Sequence, residues 1–244
     1  MGQSDAKERL DTRTTTDRLQ VALHNQRYEF VLQHLARLQA VLEIGTGTGN
    51  LSVLLAGRCG NYVGVEFDAE TCAVASERLG GAAHIVQGDA RALPFEARSF
   101  SGIVCLEVLE HLGDFRAGIR NIHRCLREDG MAIISVPYRR RGGPSPTNAY
   151  HLYEPGELEL IESLNEHFQE LTVWYQYFEE TPLMKVARRL HMRRVLGLEG
   201  IYRALAEGKP QVTSRLKISR KSAGMDLHLI VIVQRPKQVK NSES

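Results

Sequence analysis

The chain has 244 residues, 43% apolar and 25% charged, with a formal net charge of +2. That length supports a sizeable core without disulfide or metal staples, and the near-neutral balance excludes an overall basic field of the kind nucleic-acid binders carry. No apolar run approaches the roughly 20 residues of a membrane span, the opening MGQSDAKERL lacks a signal-peptide core, and the four cysteines form no C-x-x-C pair, so the expectation is a cytoplasmic protein with buried thiols.

Residues 1–18 are polar and read as a frayed or lid-like start. Leu19, Leu23, Phe30, Leu35 and Leu38 then recur at helical spacing. Beyond them, short apolar runs alternate with helical patterns. Strands are predicted at 40–44, 62–66, 84–87, 102–106 and 131–136, and helices at 50–58, 69–79 and 115–126. Strand–helix alternation with fully apolar, β-branched strands implies a parallel sheet covered on both faces. After Pro137 the pattern changes: RRRGGPSPTN reads as a loop, followed by a helix at 155–164, a strand at 171–178 and a last strand at 226–233. About 47 residues separate those last two strands, too many for a turn.

The most informative stretch is VLEIGTGTGN at 41–50. In a sheet of this kind ligands bind at the carboxyl ends of the strands, at the topological switch point. The first strand ends at Ile44, so Gly45, Gly47 and Gly49 occupy the first turn of such a site. Glycine there accepts positive φ and admits close approach of a ligand. A phosphate loop requires G-x-x-x-x-G-K-[ST], and no lysine follows. A dinucleotide fingerprint requires G-x-G-x-x-G, and Asn50 and Ser52 stand where the third glycine should be in the two registers. The pattern present is E-x-G-x-G-x-G, with Glu43 inside the strand end.

LEIGTGTG resembles the first motif of the class I S-adenosylmethionine-dependent methyltransferases, and the resemblance runs over roughly residues 25–178. YVGVEFD is similar to their second strand, whose closing acid, here Glu66, holds the ribose hydroxyls; a carboxylate accepts two hydrogen bonds from a vicinal diol. Phe67 follows it, either stacked on the adenine or lining the pocket. GDARALPF resembles the third-strand loop, with Asp89 on the adenine amino group and Ala90 beside it. SFSGIVCLEVLEHL and LREDGMAIISVP resemble the fourth and fifth strands with their turns. The resemblance implies a doubly wound, Rossmann-like α/β domain with a seven-stranded, mostly parallel sheet and an antiparallel last strand. It implies S-adenosyl-L-methionine as cofactor, bound by Glu43, Gly45, Gly47, Gly49, Glu66, Phe67, Asp89, Ala90 and Glu107. Glu at the ribose position, where the family often has Asp, adds one methylene of reach.

Methyl transfer from a sulfonium requires an aligned nucleophile and, for a hydroxyl, removal of a proton. In LEVLEHLGD, His111 is the candidate general base, since its unperturbed pKa lies near neutrality. Glu107 is placed near the methionine end of the cofactor, and Glu110 with His111 as a pair capping the turn. E-x-x-E-H also resembles the small-RNA 2′-O-methyltransferases, in which the two Glu and the His, with a downstream His, hold a divalent metal; Glu107, Glu110 and His111 match, with His151 the candidate fourth. Many small-molecule methyltransferases show E-x-x-E-H and H-x-Y-x-P-x-E-L without metal, so no metal ligand is assigned. Arg27 and Tyr28, in the RYEF stretch, are read either near the cofactor's carboxylate end or on an amphipathic helix docked on the sheet.

Residues 181–221 carry eleven Lys and Arg against Glu199 and Glu207, a local excess of nine, leaving −7 for the rest of the chain. PLMKVARRLHMRRVLGL reads as a basic amphipathic helix. Three readings stand for it: a lid over a phosphate-bearing acceptor, a contact with anionic membrane surface, or a solvated or subunit-contacting helix. RNA is disfavoured because Tyr202 alone supplies a stacking aromatic. The expected organisation is an N-terminal helical lid segment at 1–38, a cofactor-binding core at 39–178, a basic cap at 179–224, the last core strand at 225–236 and a disordered tail at 237–244. The activity implied is methyl transfer to a small molecule, most naturally at oxygen, such as a glycan, lipid-linked or secondary-metabolite precursor. The alternatives are a metal-assisted RNA 2′-O-methyltransferase and a non-catalytic S-adenosylmethionine-binding partner protein. The sequence leaves the oligomeric state open.

Overall fold

The structure, a computed structural model, describes residues 18–35, 39–146, 148–180, 216–221 and 225–237. The basic helix predicted from PLMKVARRLHMRRVLGL, with its proposed phosphate, membrane or subunit contacts, lies outside the described residues, as do the rest of residues 181–215, the chain's first seventeen residues and residues 238–244.

Helix α1 (Arg18–Leu35) precedes β1 (Ala40–Ile44), α2 (Ser52–Ala56), β2 (Asn61–Glu66), α3 (Ala69–Leu79), β3 (His84–Gln87) and β4 (Phe100–Leu106). Then come α4 (Phe115–Cys125), β5 (Leu126–Pro137), α5 (Glu157–His167), β6 (Phe168–Phe178), β7 (Leu216–Ser219) and β8 (Met225–Pro236). The strands form one sheet in the order β3-β2-β1-β4-β5-β8-β6-β7. β1 to β5 are mutually parallel. β8 inserts antiparallel between β5 and β6. The doubly wound fold with its antiparallel last strand is therefore present, and the sheet gains an eighth strand: β7 pairs antiparallel with the edge of β6. LKIS lies inside the segment read as cap, where four residues beside a basic run give no strand signal of their own.

Alternation within each strand divides the core into two layers. Leu42, Ile44, Ile103, Cys105, Ile134, Val231 and Val233 face α4 and α5, packing on Phe115, Ile119, Ile122, Leu160 and Leu164. Val41, Val104, Leu106, Ile133, Ile230 and Ile232 face α1, α2 and α3, packing on Tyr28, Phe30, Val31, Leu35, Leu55 and Leu79. Helix α1, read as part of a lid segment, is thus docked on the sheet through one apolar face, and its Phe30 meets Trp174 of β6 edge-on at 5.2 Å between ring centroids.

Boundaries shift where turn chemistry was misread. Helix α2 begins only at Ser52, because Asn50 and Leu51 still belong to the glycine turn and Leu51 provides no side-chain cap. β5 starts at Leu126, since Phe100 pairs with Leu126 before a register shift brings Gly102 opposite Met131; a bulge of this kind hides inside LREDG, which reads as a turn. Two Asp residues, a type that favours the N-cap, start helices: Asp68 caps α3 by accepting from Thr71 N, and Asp114 caps α4 by accepting from Ala117 N. All four cysteines are free, Cys105 and Cys125 buried. Among the described residues no helix is long and apolar enough to cross a membrane.

Candidate active site

The winding of the sheet reverses between β1 and β4, and the crevice beyond their carboxyl ends is where a doubly wound sheet binds ligands. Gly45, Gly47 and Gly49 take φ of 76°, 58° and 71°, the left-handed region that side chains resist. The loop is pinned to β2 by Gly45 N and Thr46 N, both donating to Val65 O at 2.8 and 3.1 Å. From α3, Arg78 donates to Thr48 O at 2.8 Å and Thr48 Oγ1 at 2.9 Å. A side chain at Gly45 would strike Val108, and one at Gly49 would press on Ala75 and Leu79 of α3, whereas Gly47 opens on space. Its backbone is thus the bare part of the loop.

Glu66, at the end of β2, accepts from Gly47 N at 3.0 Å and from Asp68 N at 3.1 Å, so this carboxylate lies beside the glycine loop. Phe67 follows it, 67% exposed. In the loop after β3, Asp89 is bound by Arg91, with N···O distances from 2.6 to 3.1 Å. Those hydrogen bonds hold the Asp89 carboxyl below its ordinary pKa. Ala90 is buried in the core beside Leu93.

Glu43 sits differently. It is 2% exposed, and both of its oxygens accept tyrosine hydroxyls, one from Tyr28 of α1 and one from Tyr62 of β2. Burial raises its pKa, against the pull of those hydroxyls. The side chain lies under the loop, toward α1. Tyr28 therefore points at Glu43. Arg27, its neighbour, is buried too and donates to Gln176 Oε1 of β6 at 2.9 Å.

At the end of β4, Glu107 carries φ of 56°, a strained conformation for a residue with a Cβ. Its Oε1 accepts from Ser135 Oγ of β5 at 2.6 Å and its Oε2 lies 3.2 Å from His228 Nε2 of β8. Burial works against ionisation, but His228, Arg27 and these hydrogen bonds prevail and hold its pKa low. Next come Glu110 and His111 in a single 3₁₀ turn, Leu109–His111. Glu110 is fully buried and its pKa is pushed well up, by burial first and by the Glu107 charge second. His111 stands edge-on to His151, 4.8 Å between ring centroids. His111 Nδ1 is 3.2 Å from Tyr150 O, and His151 Nδ1 is 2.7 Å from Glu154 Oε1.

The sequence-predicted residues thus separate into a glycine-loop group and a β4 group. Gly45, Gly47, Gly49, Glu66, Phe67, Asp89 and Ala90 gather at the ends of β1 to β3 and the loop after β3. Glu107 and His111 gather beyond β4. Sequence reasoning missed His228, Ser135, Tyr62 and Glu154. His228 and Ser135 are polar positions inside apolar strands, a signal that was available in HLIVIV and AIISVP; Tyr62 and Glu154 gave none.

Residues 42–134 match the family described as methyltransferase domain. A probable S-adenosylmethionine-dependent methyltransferase from Mycolicibacterium smegmatis is 32% identical over 145 residues, 57% of this chain and 56% of that one. A 2-phytyl-1,4-naphtoquinone methyltransferase from Thermosynechococcus vestitus is 34% identical over 125 residues, 48% of this chain and 56% of that one. The chain spans about half the length of the curated relatives it matches. Among solved structures, phosphoethanolamine N-methyltransferase 2 of Haemonchus contortus, in complex with S-adenosyl-L-methionine, matches with a TM-score of 0.58 and 20% identity over 87% of this chain and 53% of that one. At that identity the likeness is one of fold.

Proposed function

We propose, for a chain whose residues 42–134 match a methyltransferase domain family, that it transfers a methyl group from S-adenosylmethionine to the oxygen of a small-molecule acceptor. The observation that carries the reading is the bare, left-handed turn at Gly45–Gly49 with the Glu66 carboxylate 3.0 Å from Gly47 N. A loop whose middle residue opens on space, beside an acid at the end of the next strand, fits a ligand with a vicinal diol and a chain that must approach backbone closely.

S-adenosylmethionine bound there would supply a methyl group already activated by its sulfonium. Glu66 would hold the ribose hydroxyls, Asp89 the adenine amino group and Phe67 the adenine face, beside Ala90. Glu107, kept ionised by His228 and Arg27, would meet the amino-acid end. Glu43 would act through the loop, fixing it from below on Tyr28 and Tyr62. The acceptor's proton falls to His111: a carbonyl only accepts, so His111 Nδ1 carries the hydrogen that faces Tyr150 O, and Nε2 is the basic nitrogen. Similarity to a naphthoquinone methyltransferase supports a small-molecule acceptor with a ring-borne oxygen or carbon nucleophile, and the proton-accepting group beside the crevice favours oxygen.

The test is calorimetric titration of the full chain with S-adenosylhomocysteine. Wild type is expected to bind at micromolar level, with affinity lost by about a hundredfold in Glu66→Ala, since two hydrogen bonds to a charged group are removed. Absence of binding to wild type overturns the reading. Methyl-labelled transfer to a panel of phenols, quinols and sugars then identifies the acceptor.

A further inference from the structure

We infer that His228 of β8 and Ser135 of β5 are positioning residues for the cofactor: they hold the Glu107 carboxylate so that its remaining face receives the ammonium group of the amino-acid end. The assignment rests on the methyl-transfer reading and names how that site grips one part of its ligand.

Glu107 is the first residue after β4, and each of its oxygens is taken by a different strand. Ser135 Oγ donates to Oε1 at 2.6 Å, and His228 Nε2 stands 3.2 Å from Oε2. The backbone is tied down as well, Glu107 N donating to Ser135 O at 3.0 Å. An ionised carboxylate offers about four lone-pair sites, so two contacts leave about two. The Glu107 side chain is 20% exposed and that of His228 11%. The acid is therefore the member of the pair that a ligand in the crevice can reach.

The hold is assembled from strands far apart in sequence. β5 lies between β4 and β8, and His228 is in register with Pro137 of β5 and Gln176 of β6. Pro137 is the last residue of β5, so His228 stands at the carboxyl edge of the parallel strands, level with the crevice. Ser135 and Pro137 share the face that carries Ile133, the face packed toward α1. Gln176 takes the Arg27 guanidinium at 2.9 Å, so the same row brings a buried cation toward the acid.

Packing does not account for His228. It opens the apolar run HLIVIV, and its Nδ1 is buried without a hydrogen-bond partner among the described residues. A buried polar atom left unpaired is destabilising, and a leucine would leave no such atom. What the imidazole supplies is one N–H at Nε2, since an ionised carboxylate only accepts. It is aimed at an acid whose backbone is itself strained, with φ of 56°. A strained acid, held through both oxygens beside a ligand crevice, is preorganised for a charge it has still to meet.

The experiment compares two probes by calorimetry on the full chain. One is S-adenosylhomocysteine; the other is 5′-methylthioadenosine, which keeps the adenosine and the sulfur but lacks the amino-acid end. His228→Leu should weaken S-adenosylhomocysteine by about tenfold, the effect of one hydrogen bond to a charged group, and leave 5′-methylthioadenosine within about twofold of wild type. His228→Gln, whose amide N–H can reach the same oxygen, should recover most of that loss. In a Glu107→Ala background His228→Leu should add nothing, because it acts through the acid. Ser135→Ala should show the same selectivity, and it decides the question if His228→Leu does not fold. Unchanged S-adenosylhomocysteine affinity, equal losses for the two probes, or no recovery in His228→Gln overturns the assignment. Wild type that binds both probes equally well overturns this assignment alone, and wild type that binds neither overturns the cofactor reading beneath it.

Discussion

Glu107 Oε2 and His228 Nε2 meet at 3.2 Å, tying the turn after β4 to β8, the strand that enters the sheet last. The contact is one of the interactions that, against burial, keep the pKa of this acid low, and Glu107 itself takes a left-handed backbone conformation.

Strain and chemistry at this position are separable. Glu107→Gly should be more stable than Glu107→Ala by about 1 kcal/mol, because Gly takes φ near 56° without penalty. Both variants lose the carboxylate, so both should weaken S-adenosylhomocysteine binding equally. Urea denaturation and calorimetry on the pair check the two halves. Equal stabilities would show that φ at 107 carries no strain.

The loop glycines are not equivalent. At Gly45 an added Cβ would lie 2.4 Å from Val108 Cγ2, whereas at Gly47 nothing lies within 4 Å. Gly47→Ala should therefore cost only the backbone term, about 1–2 kcal/mol, and Gly45→Ala should add an overpacking term of about 1–3 kcal/mol. Val108→Ala in the Gly45→Ala background should recover part of the loss. Thermal melts of the four proteins test this.

Under the loop, Tyr62→Phe should cost about 2 kcal/mol by withdrawing a hydroxyl from the buried Glu43 carboxylate. Tyr28→Phe should cost a similar amount. The two losses should not add: with both hydroxyls gone the buried carboxyl takes up a proton, and a neutral group is cheaper to bury. A double-mutant cycle in urea measures the coupling, and strict additivity would contradict the shared-acceptor arrangement.

Stability should fall on mild acidification. Burial, with the nearby Arg27 and His228 charges adding to it against the opposing pull of Glu107, lowers the His24 pKa from 6.5 to about 3. The unfolded chain therefore binds a proton below pH 6.5 that the folded chain refuses until about pH 3. Stability from this group is complete above pH 6.5 and is lost as pH falls through that window, at up to about 1.4 kcal/mol per pH unit. Denaturation midpoints at pH 7 and pH 5 should differ by up to about 2 kcal/mol, and His24→Phe should flatten the difference. An unchanged pH slope in that variant would remove His24 from the account.

Much of this was legible in the sequence, for reasons of local physics. β1 to β5 announce themselves because each is apolar on both faces, and the glycine turn because Gly45, Gly47 and Gly49 all need positive φ. Glu66 and His111 follow from position at strand ends. What stayed hidden depends on distant segments. The role of Glu43 is decided by Tyr28 and Tyr62, 15 and 19 residues away, and the state of Glu107 by His228, which no local pattern connects to it. β7 is recognisable only by its partner on β6. The Glu110–His111–His151 grouping needs the loop after β5 to fold back, which spacing alone does not reveal.

The placement of β8 has a consequence for biosynthesis. Its residues pair with β5 on one side and β6 on the other, joining Met131 to Gln234 and Leu171 to Val233. A nascent chain that has emerged only through β6 can form the five parallel strands and the glycine turn, but β6 has no seat beside β5. The half-built sheet waits with an open edge, the kind of surface that chaperones cover. Translation of β8 both closes that edge and delivers His228 to Glu107, so the crevice matures only after β8 has emerged.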